Sequence, residues 1–174
     1  MQKILLKALF VLVCASSFSQ NILQLNNKAD QFYTERKYSE ALIVYDKIVE
    51  IEPTEQSYFK RGKCHLELQN YVSADKDFSN VLMISPDNKD IHFYKGLSTM
   101  NLGNTEDASI EFGLYLKIHK SSAEANYYKG VCEFQLRNFE EALDLYDKAI
   151  ILDEKYVFAY NDRASTKRML HDIE

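Results

Sequence analysis

The chain has 174 residues, of which 27% are charged and 46% hydrophobic, and a formal net charge of -5 at pH 7. These proportions are ordinary for a folded soluble protein. The acidic balance argues against nucleic-acid backbones and anionic membrane surfaces as partners, and no low-complexity stretch or linker divides the chain.

Lys3 and Lys7 precede an apolar run from Ala8 to Cys14, which passes into small and polar residues from Ala15 to Ser19. That is the layout of a secretory signal peptide, and the run is too short for a permanent membrane anchor. Ser17 and Ser19 put small side chains three and one residues before Gln20, so cleavage is expected after Ser19. An exported protein, periplasmic or secreted, is the expectation. Lipid anchoring through Cys14 is disfavoured because Val13 stands where a small residue normally precedes a lipidated cysteine. Removing residues 1-19 takes away two lysines and no acid, so the net charge of -5 becomes -7.

Residues 20-174 carry one phrase four times, an alanine followed four places later by an aromatic: Ala41/Tyr45, Ala74/Phe78, Ala108/Phe112 and Ala142/Tyr146. The alanines are 33, 34 and 34 residues apart. Such a period means stacked supersecondary units, each burying its apolar face against the next. Helices are expected in pairs, A and B, over about 22-35 and 38-51, 56-68 and 71-84, 89-102 and 105-118, 123-136 and 139-152, with a last helix at 157-170. Gln69-Asn70, Gly103-Asn104 and Arg137-Asn138 mark turns within the pairs, and Pro53 and Pro86 close the first two units. Gly62, Gly96 and Gly130, with Ala29 and Ala164 in the same slot, let each A helix approach its B helix closely. The units run over about 22-54, 55-88, 89-122 and 123-156, with a partial unit at 157-174. That partial unit is expected to be either a terminal capping helix, its outer face made polar by Arg163, Lys167 and Arg168, or the start of a unit continuing in a longer polypeptide.

This pattern resembles the tetratricopeptide repeat family: a small residue in the first helix, then an alanine, an aromatic four residues on, and a closing proline. The resemblance covers about Ile22 to the C-terminus. No unit has the family's tryptophan, and two lack the proline. It implies an all-α, right-handed superhelical solenoid of antiparallel helix pairs whose A helices line a concave groove. In that register the groove takes Phe59, Lys63 and Leu66, then Phe93, Leu97 and Met100, then Tyr127, Val131 and Phe134. Lys60, Tyr94 and Tyr128 stand at its edge. Such a stripe suits an extended peptide or an amphipathic helix. The competing reading buries the stripe: in unit four the alternative face is Asn126, Gly130 and Glu133, too polar for a core. Asn26, Asp30 and Tyr33 make the unit-one end polar. Family members that grip acidic chaperone C-termini use a clamp of lysines, an arginine and asparagines; here those slots hold Asn26, Asp30, Lys60, Asp90 and Tyr94 in one register and Phe59, Lys63, Tyr94, Glu124 and Tyr128 in the next. That clamp is absent.

Signals for other chemistry are thin. His65, His92, His119 and His171 never fall three or four apart, the spacing that would set two imidazoles on one helical face for zinc. His65 and His92, in neighbouring A helices, read as packing residues. Cys64 and Cys132 share one slot two units apart, roughly 20 Å in a helical stack, so both are expected as buried thiols rather than a disulfide. No serine elbow or phosphate loop occurs, and Glu140-Glu141 and Asp144-Asp147 read as a solvated face. The chain is expected to be non-enzymatic, without metal or cofactor, and to bind a protein or peptide in a bacterial cell envelope. The alternatives are the sensory or assembly portion of a longer membrane- or wall-linked protein, and self-association through an apolar face.

Overall fold

The computed structural model describes residues 20-171, so the expected signal peptide and the last three residues lie outside the described part. Among the described residues nine helices follow one another: α1 over 20-34, then α2 (Tyr38-Ile51), α3 (Glu55-Glu67), α4 (Tyr71-Ile84), α5 (Ile91-Asn101), α6 (Thr105-Leu116), α7 (Ala123-Gln135), α8 (Phe139-Leu152) and α9 (Val157-His171). Odd-numbered helices are the A helices and even-numbered ones the B helices. Each packs on its neighbours in sequence, and α3, α5, α7 and α9 also touch along the A layer. Among the described residues there is no strand, and the whole is a helical solenoid.

The turn inside each pair obeys one backbone rule. Arg36, Gln69, Gly103 and Arg137 all have positive φ, at 59°, 59°, 84° and 65°. Around Gln69, its N-H bonds the Leu66 carbonyl while the Asn70 N-H reaches back to His65; the same pairs of bonds recur at Lys37, Asn104 and Asn138. This is the Schellman closure, which satisfies the orphan carbonyls of a helix end with one left-handed residue. Helix starts vary more. Thr54 and Ser57 form a capping box on α3, and Ser122 accepts from the Ala125 N-H on α7. The Asn88 side chain accepts from the N-H groups of Asp90 and Ile91, which delays α5 until Ile91, two residues after the expected start. A tighter turn, Ile118 N-H to the Tyr115 carbonyl, ends α6 at Leu116 rather than 118.

Within a unit the repeated small residues do what steric reasoning requires. A β-carbon on Gly62 would stand 2.7 Å from the Phe78 ring, one on Gly96 2.8 Å from Phe112, and one on Gly130 2.8 Å from Tyr146. The glycine of each A helix is thus the seat for the aromatic of its own B helix. Ala41, Ala74, Ala108 and Ala142 are fully buried beside these rings.

Asn126 and Glu133, judged too polar for a core, are in fact buried, as is Gly130 between them. Their polar groups are met. Asn126 donates to the Ser122 carbonyl, and Glu133 accepts from Ser109, Asn138 and Lys129. Burial by itself raises the Glu133 carboxyl, but the Asn138 and Ser109 hydrogen bonds and the Lys129 charge outweigh it and hold the group below the ordinary glutamate range. A hydropathy pattern does not record these polar partners, one on α6 and the rest at the ends of α7 or within it.

Glu140, Glu141 and Asp144 are exposed and Asp147 half-buried; on this face Glu141 also pairs with Lys129 at 2.5 Å and Asp147 with Arg163 at 2.6 Å. His65 and His92 do not pair with each other, because His92 bonds Glu111 at 2.6 Å. Cys64 and Cys132 are free, fully buried thiols whose burial pushes both up to about 12. Arg163 is likewise occupied with Asp147 rather than turned outward, while Lys167 and Arg168 are exposed.

Candidate functional site

The stripe on the A helices is both packing and surface. Phe59, Lys63, Leu66, Phe93, Leu97, Met100, Tyr127, Val131 and Phe134 are all half-buried, as are Lys60, Tyr94 and Tyr128. Their inner sides rest on the core of their own or the preceding unit. Phe59 and Leu66 pack on the cluster around Phe78, Phe93, Leu97 and Met100 on that around Phe112, and Tyr127, Val131 and Phe134 on that around Tyr146.

The outer sides form a continuous aromatic surface. Phe59 meets Tyr94 edge-on at 5.0 Å, Tyr94 meets Phe93 at 5.6 Å, Phe93 meets Tyr128 at 6.1 Å, and Tyr128 meets Tyr127 at 5.3 Å between ring centres. Tyr128 also stacks on Phe112 of the preceding unit, with planes 14° apart. Tyr94 and Tyr128 therefore serve as joints between units as well as edge residues.

Three openings border this surface. The largest, about 990 Å³, lies at the N-terminal ends of α3, α5 and α7 and includes Phe59, Phe93 and Tyr94 with Tyr115 of α6. A second of about 350 Å³ takes Lys63, Leu66, Tyr94 and Leu97, and a third of about 220 Å³ takes Phe59, Lys60 and Lys63. Met100 and the four unit-four members line none of these three openings. Tyr127 is covered by α9 and the residue before it: its hydroxyl donates to Asp162 at 2.9 Å, and Tyr156 lies 5.1 Å from its ring centre.

The two lysines of the stripe behave differently. Lys60 is committed to Asp30 at 2.7 Å, with Asn26 at 3.4 Å. Lys63 instead holds its ammonium among the rings of Tyr33, Phe59 and Tyr94, at 5.1, 5.6 and 5.7 Å. Such a cation-π cage favours a cation over ring faces.

Residues 123-156, the fourth unit of the period, match the family model described as the tetratricopeptide repeat. The other units repeat its helix pair, its small-residue seat and its turn. Residues 123-156 are thus one tetratricopeptide repeat, and the fold of the chain is the solenoid that such repeats build. Among curated proteins no sequence matches it. Solved structures share the solenoid at low identity. MamA from Desulfovibrio magneticus superposes with a TM-score of 0.82 at 16% identity, covering 87% of this chain and 86% of that one. YrrB, described as a tetratricopeptide repeat protein with an unusual peptide-binding site, gives 0.74 at 19%, covering 80% and 73%. The first such domain of Spaghetti, bound to an HSP90 peptide, gives 0.64 at 18%, covering 68% and 94%.

Two recurring sets escaped the reading of the sequence, although the 34-residue beat carried both. The residue just before each seat is basic: Lys28, Arg61, Lys95, Lys129 and Arg163. Four of them tie helices together. Arg61 grips the buried Asp77 at 2.7 Å and Asp46 at 3.1 Å, Lys95 takes Asp75 at 2.8 Å, and Lys129 and Arg163 take Glu141 and Asp147. The second set stands at the second place of each unit, Gln56, Asp90 and Glu124, and lines the largest opening. Asp90 and Glu124 had entered only as slots lacking a clamp residue.

Proposed function

We propose that this protein is a non-enzymatic scaffold that holds an extended segment of another protein against the concave face of its A helices. The observation that carries the reading is the chain of ring contacts from Phe59 to Tyr127, in which Phe59, Phe93 and Tyr94 open onto adjoining clefts. Rings already fixed by packing lose little entropy on binding, and large apolar area with few polar groups favours insertion of partner side chains. YrrB and Spaghetti, which share this solenoid and whose descriptions mention a peptide-binding site and a bound peptide, support the same use of the fold. The arrangement of residues 1-19 supports work outside the cytoplasm, periplasmic or secreted, in a bacterial envelope. Among the described residues no helix is long and apolar enough to cross a membrane.

Site-specific photocrosslinking in the producing cell tests this. A benzoylphenylalanine placed at Gln56 or Asn101, exposed positions bordering the openings, is expected to capture a discrete partner band. The same probe at Ile110, 61% exposed on a B helix, is expected to capture none. Equal capture from Ile110, or capture there alone, removes the concave face from the proposal.

A further inference from the structure

The largest opening is aromatic on its floor and acidic around its rim. Phe59, Phe93, Tyr94 and Tyr115 supply the rings, and Glu52, Glu55, Asp90 and Glu124 the carboxylates; no lysine or arginine lines it. The carboxylates are not neutralised from within the chain by a fixed cation. Glu55 is held in place by the Ser85 hydroxyl and the Asn88 amide, both neutral donors. Asp90 meets only the His119 imidazole, which itself stacks on Tyr115 at 4.3 Å. Glu124 stands in the first turn of α7, where burial raises its carboxyl above the ordinary range with no compensating cation.

Resting on the groove reading above, we propose that the bound segment is basic, an extended stretch in which lysine or arginine alternates with aliphatic residues, and that Asp90 and Glu124 receive its cations. The geometry suits that chemistry in two ways. Asp90 and Glu124 hold the same place in consecutive units, so an extended chain running along the A layer meets one carboxylate per unit. Both carboxylates line the same opening as the rings of Tyr94 and Tyr115, so a guanidinium or ammonium there gains ring contact as well as ion pairing. Acids also favour helix N-termini by themselves, and a role confined to that would leave binding untouched.

The test uses the full chain and three fluorescein-labelled decapeptides that alternate leucine with arginine, glutamine or glutamate, followed by anisotropy. The arginine peptide is expected to bind about tenfold more tightly than the glutamine peptide at low salt, with most of that advantage lost at high salt through screening. Asp90→Asn/Glu124→Gln is expected to abolish the advantage while keeping both helix content and affinity for the glutamine peptide. Glu50→Gln/Asp144→Asn, with the same change in net charge on exposed residues away from the openings, is expected to preserve it. Should the double variant lose helix content, Glu124→Gln alone gives the same reading. Equal binding of the arginine and glutamine peptides, or an advantage that survives in Asp90→Asn/Glu124→Gln, overturns the basic-segment inference and leaves the groove standing. Failure of all three peptides to bind overturns both.

Discussion

A single missing β-carbon decides how closely the two helices of a unit approach. At Gly96 that atom would meet the Phe112 ring at 2.8 Å, and Phe112 is fully buried with little room to retreat. Overpacking of this kind costs about 1-3 kcal/mol, while replacing a helical glycine by alanine returns about 1 kcal/mol. Gly96→Ala is therefore expected to cost about 0-2 kcal/mol net, in keeping with the buried Ala29 at the equivalent place. Gly96→Val, with two further methyl groups and a stiff χ1, should lower stability by about 2 kcal/mol, read from the urea midpoint. A valine variant as stable as the parent removes the close-approach account. The glycines were legible because they keep the beat; that their neighbours are rings of the same unit needed the paired helix in place.

Across helices, polar groups do work that apolar periodicity hides. Asn126 and Glu133 break the pattern of α7 on paper, yet α6, the next turn and the helix itself satisfy them: Ser109, Asn138 and Lys129 all converge on Glu133. Its carboxyl is held below the ordinary range. A depressed folded value gives stability that is fully present above the unfolded glutamate value, about 4.3, and is lost as pH falls through the lower folded one. The parent is therefore expected to exceed Glu133→Gln in urea midpoint near neutral pH, and the gap is expected to close below about pH 4. A gap independent of pH would mean that the carboxylate's charge contributes nothing. The turns teach the converse. Gln69-Asn70, Gly103-Asn104 and Arg137-Asn138 were readable as turns from residue type, because a left-handed closure is local and requires no distant partner.

The molecule as a whole is nearly one-dimensional. Each helix leans on its neighbours in sequence, with lighter contact along the A layer, so stability is close to a sum of unit and interface terms. Phe112 occupies one such interface, touching Phe93 of its own unit and stacking on Tyr128 of the next. Phe112→Ala is expected to cost about 3-5 kcal/mol and to speed amide hydrogen exchange in α5, α6 and α7 well before α2. Uniform acceleration over all helices would indicate a single cooperative block instead. The same layout explains why the candidate site spans several units: the largest opening takes residues from α1, α2, α3, α5, α6 and α7.

The sequence by itself determined the helix pairs, their order, their turns and the small-residue seats, because each depends on residues within one 34-residue period and recurs in register. It also placed the aromatic stripe on the A helices, where spacings of four and three align Phe59, Lys63 and Leu66. Tertiary structure alone decided that this stripe is at once core and surface, since only the packed helices show that Phe93 meets Phe112 and also lines a cleft. It decided as well that Asp90 and Glu124 share one rim while Lys60 is spent on Asp30. Charges find their partners through space across neighbouring helices, and a linear period records where each stands without recording which of them is already paired.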